Sequence, residues 1–281
     1  MNSVTHPEHA DLDFALTLAD VADKIALSHY NSTSLVVESK PDDTPVTQAD
    51  REIEQTLRER ITEQFPEDKI IGEEFSESLT REQIREQLAN GRHWIIDPID
   101  ATKNYMRGVP IWATLIALVV DGKPVVGVVS SPALGRRWYA AEGQGAWTTD
   151  AVIEAGQPPR QIKVSEIRSL RYASFSFSDP AEWDQADSLG ALNEFSMNCW
   201  RTRGYGDFYS HILVAEGALE IAAEPDLSLW DVAALIPVIK EAGGEATNFQ
   251  GEDALFGPSL ASTNGLLHFG VQGILAGETP E

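Results

Sequence analysis

The sequence predicts a layered α+β / α/β sandwich in which helix and sheet layers alternate. Two observations carry this. Helical and strand periodicities interleave through both halves of the chain. An Asp121-Gly122 dipeptide also lies between two β-rich apolar runs, which is the sequence of a tight antiparallel hairpin. Elements with one apolar face must bury it against another element, and stacked layers are the economical solution.

The elements follow in order. Phe14, Leu18, Val21 and Ile25 recur at helical spacing, so a long amphipathic helix over 10–29 opens the fold. Residues 40–50 (KPDDTPVTQAD), rich in Pro and Asp, read as a loop. Ile53, Leu57, Ile61 and Phe65 then share one face of a second helix. Lys69-Ile70-Ile71-Gly72 is a short strand stopping at Glu73-Glu74, and a charged helical stretch covers 80–90. His93-Trp94-Ile95-Ile96 is an apolar strand that runs straight into Asp97. The runs over 114–132 form the hairpin, with a type I′ turn, and Trp138–Ala141 and the Gly-rich EGQGAW extend the meander.

Loops around 148–160 divide the chain into an N-terminal half, 1–150, and a C-terminal half, 151–281. In the second half, strands are expected near 162–165, 171–176 and 218–223, with a helix from Asp207 to Glu216. One helix should run from Trp230 to Ala242, ended by Gly243-Gly244. Short strands at 245–249 and 259–262 and a last helix after Asn264 complete the chain.

Composition narrows the function. The formal net charge is −23 and the pI about 4.5, a field that repels nucleic acid and anionic membranes. A phosphate-ester substrate would meet the same repulsion unless a divalent cation reversed the sign locally. No apolar run approaches the roughly 18 residues of a membrane span. The opening MNSVTHPEHADLDF has neither a basic start nor an apolar core and does not read as a secretory signal. The single cysteine, Cys199, excludes an intramolecular disulfide, fits a reducing cytoplasm and has no histidine beside it in SMNCWRTR.

The most informative segment is Trp94-Ile95-Ile96-Asp97-Pro98-Ile99-Asp100-Ala101-Thr102. A buried strand here delivers two carboxylates, three residues apart, on a turn stiffened by proline. Two such acids repel one another unless a cation lies between them. Mg²⁺ takes hard oxygen ligands, so the Ile99 carbonyl is a natural third donor. Beyond the turn, the amides of Ala101 and Thr102 can open a helix and meet an anion. Three further segments add acids: Ile71-Gly72-Glu73-Glu74 at a strand end, Leu229-Trp230-Asp231 in a first helical turn, and Thr47-Gln48-Ala49-Asp50. Taken singly, Asp231 reads as a helix-dipole partner and Asp50 as part of a helix cap.

Together, VTQAD (46–50), IGEE (71–74), WIIDPIDATKNY (94–105) and LWDVAALIPVIKEAGG (229–244) resemble the inositol monophosphatase family of lithium-sensitive, Mg²⁺-dependent phosphatases, over roughly 10–270. The resemblance implies a phosphomonoesterase with two to three Mg²⁺ ions, open to Li⁺ inhibition, and usually a homodimer. Glu73, Asp97, the Ile99 carbonyl, Asp100 and Asp231 are then metal ligands. Thr102 and Glu73 orient or deprotonate the attacking water, and Asp50 supports Thr102 through a hydrogen bond. The N-terminal half carries most of the ligands, and the C-terminal half supplies Asp231. One departure is Ala101, where the family usually has Gly; the turn must keep φ negative or carry strain.

Arg201-Thr202-Arg203-Gly204-Tyr205-Gly206-Asp207 resembles the histidinol-phosphate phosphatase branch, where GYGD or a near variant is typical. Asp207 and Glu224 could pair with a cationic amine or imidazole, which an inositol ring lacks. Arg201 and Tyr205 join them as substrate-side candidates, with Arg201 reaching its own or a neighbouring subunit's site. The plainer reading of Asp207 is a helix cap, and that of His211 is structural. The alternatives are an inositol or other sugar phosphatase, or a non-catalytic scaffold of the same fold.

Overall fold

The computed structural model describes residues 10–33, 35–39, 45–76, 79–153 and 155–277. The first half runs α1 (Ala10–His29), β1 (Val37–Ser39), β2 (Pro45–Thr47), α2 (Gln48–Gln64), β3 (Lys69–Gly72), α3 (Arg81–Leu88), β4 (Arg92–Asp100), α4 (Thr102–Met106), β5 (Ala113–Val120), β6 (Lys123–Ser131), β7 (Arg136–Ala141) and β8 (Ala146–Asp150). The second runs β9 (Arg160–Ile162), β10 (Ser174–Phe177), α5 (Pro180–Gln185), α6 (Leu189–Asn198), β11 (Arg201–Arg203), α7 (Asp207–Ala215), β12 (Ile221–Glu224), α8 (Leu229–Ala233), α9 (Leu235–Glu241), β13 (Glu245–Thr247), β14 (Leu260–Thr263) and α10 (His268–Leu275).

These elements stack as five layers around two sheets. The larger sheet has the order β3-β4-β5-β6-β7-β8-β9 and is antiparallel except for the β3–β4 pair. The smaller has the order β11-β10-β12-β14-β13. Strand alternation assigns the faces. Trp94 and Ile96 point to the outer helices α1 and α2, packing with Leu12, Leu18, Ile53 and Leu57. Ile95, between them, points the other way, into a core shared with Phe208 and Ile212 of α7, Val232 of α8 and Ile239 of α9. Asp97 falls on that inner face by the same period of two. The smaller sheet closes the middle helices from the far side, and its outer face packs on Trp183, Phe195 and Val271 of α5, α6 and α10. The helices α7, α8 and α9 and the strand β9 all lie beyond residue 150 yet pack on or join the larger sheet, so the two halves share one core.

Several expectations hold and several change. Asp121 and Gly122 have φ of 49° and 78°, which a type I′ turn requires of both its central residues. The 40–50 loop shrinks: β2 begins at Pro45 and α2 at Gln48, while 40–44 lie outside the described residues. The helix expected from Trp230 to Ala242 is two helices meeting at Ala234. Pro237 is the cause, because it has no N–H to bond the Ala233 carbonyl and its ring collides with that carbonyl in a continuous helix. Helices α5 and α6 were missed: their apolar residues, Trp183, Leu192 and Phe195, are few and widely spaced. Strand β4 also continues through Asp97-Pro98-Ile99-Asp100, its ladder to β5 shifting register between the two acids. Pro98 cannot donate to that ladder, so the strand bulges where the carboxylates sit. Among the described residues no helix is long and apolar enough to cross a membrane.

The break between α8 and α9 presses on β6. A Cβ on Gly127 would lie 2.2 Å from the Ala234 carbonyl oxygen and 2.7 Å from the Pro237 ring. Gly127→Ala should therefore destabilise the protein by about 2 kcal/mol, the cost of forcing one methyl into a filled core. Urea denaturation of the two proteins measures it, and an unchanged midpoint would mean the helix pair slides freely over the sheet.

Candidate active site

The site forms where β3 and β4 end against α7 and α8. Asp97 is buried on β4, and its Oδ1 has no hydrogen-bond partner. Asp100, at the end of the same strand, accepts the Phe208 N–H at 2.8 Å and so ties β4 to the start of α7. Asp231 stands in the first turn of α8, with Oδ2 accepting the Ser228 N–H at 2.7 Å. Glu73 follows β3 directly, its N–H donating to the Ile96 carbonyl at 3.2 Å. Parallel pairing of β3 with β4 therefore places this acid alongside Asp97.

Burial and crowded charge raise the pKa of the three aspartates. Burial, then the charges of Glu73, Asp100 and Asp231, push Asp97 well above the usual carboxylate range. Burial, then Asp207 and Asp231, does the same to Asp100. Asp231 is pushed to about 7, chiefly by burial. Beside them lies a cavity of about 570 Å³ lined by eight acidic residues, Glu73, Asp100, Asp179, Glu182, Asp207, Glu224, Asp226 and Asp231, against one lysine, Lys103. No anion enters such a pocket unless cations arrive with it. Among the described residues no three His, Cys, Asp or Glu side chains form a ready-made ligand cluster. What fits a divalent metal here is the donor chemistry: hard carboxylate oxygens, buried, mutually repelling and in one case unpartnered.

The turn after Asp100 is strained. Ala101 takes φ 66° and ψ 47°, the left-handed conformation that glycine adopts freely, so of the two options left by the sequence the structure takes strain. Thr102 starts α4, and its hydroxyl donates to the Ile99 carbonyl at 3.0 Å. That carbonyl keeps a second lone pair for another partner. The hydrogen bond from Asp50 to Thr102 implied by the resemblance is not made. Asp50 Oδ2 instead accepts the N–H and hydroxyl of Thr47 at 2.7 and 2.5 Å, closing a capping box at the head of α2, and its Oδ1 is unpartnered. The nearer donors of the cap explain the correction, since the N–H and hydroxyl of Thr47 satisfy the carboxylate within its own turn.

Residues from α7 and the smaller sheet form the adjoining wall of the pocket. Asp207 heads α7 but caps nothing: Gly206 is the N-cap residue, and the helix start has no side-chain cap. Asp207 itself has φ 52°, and burial followed by the charge of Glu182 pushes its pKa to about 6. Glu224, at the end of β12, is buried with an unpartnered Oε1. Tyr205 lines the same cavity, whereas Arg201 does not. Arg201 is exposed on the edge strand β11, with its guanidinium 3.4 Å from the Tyr205 hydroxyl.

Other contributors escape sequence reasoning. Buried Glu54 accepts the N–H groups of Glu74 at 2.7 Å and Phe75 at 3.3 Å, and Arg58 Nε at 2.7 Å. Gly72 sits so close that a Cβ there would lie 2.2 Å from Glu54 Oε1. This clamp fixes the turn that presents Glu73. Its signal was a charged residue in line with Leu57 and Ile61 on the apolar stripe of α2. Lys103 and Glu182 had no such signal.

The inositol monophosphatase family model matches residues 9–277. The chain belongs to this family. It is similar to the histidinol-phosphatase of Mycobacterium tuberculosis, at 47% identity over 92% of this chain and 95% of that protein. The histidinol-phosphatase of Streptomyces coelicolor is 42% identical over 94% and 96% of the two chains. Among solved structures, an IMPase of Thermotoga maritima superposes with a TM-score of 0.81 at 29% identity, covering 96% of this chain and 98% of that one. As a member of the inositol monophosphatase family, the protein is a phosphoric monoester hydrolase, in a family that is generally Mg²⁺-dependent.

Two outcomes follow for this inositol monophosphatase relative. Without divalent cations, its thermal midpoint should fall as pH rises from about 4 towards 8. Acids with raised folded pKa hold protons that the unfolded chain has released. Their stabilisation is complete below the ordinary carboxylate value and is lost as pH climbs through about 6 for Asp207 and about 7 for Asp50 and Asp231. His211, which burial pushes down to about 3, opposes this, together with His93 and His268, which burial also pushes down, but the raised acids outnumber them. Saturating Mg²⁺ should flatten the decline, and midpoints insensitive to both pH and metal would remove the cation from this site. Ala101→Gly should leave turnover intact and raise stability by up to about 1 kcal/mol, since relief of the left-handed strain outweighs the added chain entropy. Calorimetry reads it directly.

Proposed function

We propose that this phosphatase hydrolyses histidinol phosphate to histidinol and inorganic phosphate, a step of histidine biosynthesis. The observation that carries the reading is the pocket's surplus of acids: beside those suited to metals, two more, Asp207 and Glu224, line the same cavity. Histidinol phosphate has a phosphate at one end and amine and imidazole cations at the other, and so uses both. The two relatives named histidinol-phosphatase support the same reading.

Glu73, Asp97, Asp100, Asp231 and the Ile99 carbonyl would hold two to three Mg²⁺ ions. When bound, the metal offsets phosphate charge and brings the pKa of water towards neutrality. The protein's own groups do the rest. The Thr102 hydroxyl and Glu73 orient the attacking water and accept its proton as its oxygen bonds to phosphorus and the ester P–O bond breaks. The amides of Ala101 and Thr102 meet phosphate oxygens. Asp50 acts at one remove, holding Thr47 at the end of β2, the strand that packs on α4. The reading extends to a cytoplasmic homodimer, in which Arg201, beside exposed Met197 and Trp200, faces the second copy.

Phosphate release from histidinol phosphate, inositol 1-phosphate and glycerol phosphate tests the proposal, and comparable rates on all three would overturn the substrate. Thr102→Ala should lower kcat strongly and leave KM nearly unchanged, because the lost contact is made mainly in the transition state. A merely structural Thr102 would instead reduce stability by about 1 kcal/mol with normal turnover. Asp207→Asn and Glu224→Gln should each lower kcat/KM for histidinol phosphate by roughly ten- to a hundredfold, the worth of one charge-assisted hydrogen bond. Glycerol phosphate should hardly respond. Equal losses on both esters would show that the two acids select nothing.

A further inference from the structure

The sequence gives His211 no role beyond packing, but its surroundings do. It lies one helical turn after Asp207 on α7 and lines the same cavity as Glu224. The imidazole is 1% exposed, with Nδ1 2.7 Å from the Ser262 hydroxyl oxygen. Its other nitrogen, Nε2, has no hydrogen-bond partner and faces Glu224 Oε1, also unpartnered, at 3.6 Å. Strand pairing fixes this triangle. β12 and β14 are antiparallel neighbours with Ala222 opposite Ser262, and the period of two puts Ala222, Glu224 and Ser262 on the face towards α7.

Two buried polar atoms left facing each other just outside bonding distance are unusual, since a buried donor or acceptor without a partner loses its hydration and gains nothing in return. A closure of roughly half an ångström would bring them within hydrogen-bond range. The imidazole is neutral, because burial pushes its pKa down to about 3, so one ring nitrogen carries hydrogen and the other a lone pair. Burial and then the charges of Asp207 and Asp100 raise the pKa of Glu224, and a cation at Oε2 restores its carboxylate; a lone pair aimed at that carboxylate repels it, and a hydrogen attracts it. The Ser262 hydroxyl either donates or accepts, and by donating to Nδ1 it leaves the hydrogen on Nε2, pointing at Glu224.

We propose that His211 is a positioning residue for substrate selection: its Nε2–H holds Glu224 Oε1, leaving Oε2 free to take the cationic end of the phosphate ester, while Ser262 fixes the tautomer. The inference rests on the substrate reading above and adds to it a residue that never touches the reacting atoms. It acts on ground-state binding, because Glu224 contacts the part of the ester that does not change during hydrolysis.

The test uses His211→Phe, which keeps a planar ring without nitrogen, His211→Gln, whose amide restores a donor, and Ser262→Ala. For each, kcat and KM are measured on histidinol phosphate and glycerol phosphate, with a thermal midpoint. His211→Phe should raise KM for histidinol phosphate about tenfold, the value of one hydrogen bond to a charged group, with the loss in KM rather than kcat. The glutamine variant should recover to within about threefold of wild type, and glycerol phosphate kinetics should change less than twofold in all three. Equal losses on both esters, or a phenylalanine variant with wild-type KM, would overturn the role. Should that variant not fold, Ser262→Ala decides: a KM rise confined to the cationic ester supports the proposal, and any other result defeats it. Wild-type enzyme without preference for the cationic ester defeats the substrate reading itself. Preference that survives in His211→Phe defeats only the role of His211.

Discussion

The structure is organised around the repulsion of like charges in a dry place. Asp97, Asp100 and Asp231 sit together beside Glu73 with raised proton affinities, and water cannot screen the three aspartates well. Such an arrangement is unstable by itself, and the fold holds it by brute positioning. The β3–β4 pairing, the bulge at Pro98, the Asp100 contact to α7 and the capping contact of Asp231 each fix one acid from a different element. A separate buried carboxylate, Glu54, holds the turn of Glu73. Removing the charge conflict would make the protein more stable and leave it without a reason to bind a cation.

The strained residues belong to the same account. Ala101 and Asp207 are both non-glycine residues with φ near +60°, and both stand at helix starts that border the pocket. Each carries a penalty of about 1–2 kcal/mol that a glycine would avoid. At Asp207 the side chain gives the reason, since glycine would delete a carboxylate from the pocket wall. At Ala101 the structure gives no comparable reason for the methyl group.

Much of this was legible in the sequence, for reasons that can be named. Alternation along Trp94-Ile95-Ile96-Asp97 marked the strand and the inner face together, and Asp121-Gly122 marked the hairpin. The clustered acids were readable from their motifs: Glu73 follows a strand, Asp100 ends one, Asp231 starts a helix, and Asp97 precedes the proline that bulges β4. What escaped was long-range or conformational. Pro237 breaking a helix was in principle readable, but the strong apolar periodicity on both sides of Ala234 masked it. The Asp50 capping contact, by contrast, depends on a competition between donors, Thr47 against Thr102, that only the folded geometry resolves. The clamp of Glu54 and the pairing of His211 with Glu224 join residues that are twenty and thirteen positions apart and share no motif.

The pocket's walls come from different elements. The acids suited to metals stand on or beside the larger sheet and α8, and Asp207 and Glu224 on α7 and the smaller sheet. Under the proposed function, lineages of this fold can exchange the second set without disturbing the first. A change at Asp207 or near His211 would then alter what is accepted while the hydrolytic groups stay in working order, so an intermediate with mixed preferences would remain a functioning enzyme. That separation offers a path by which one scaffold can diversify among phosphorylated metabolites without passing through an inactive ancestor.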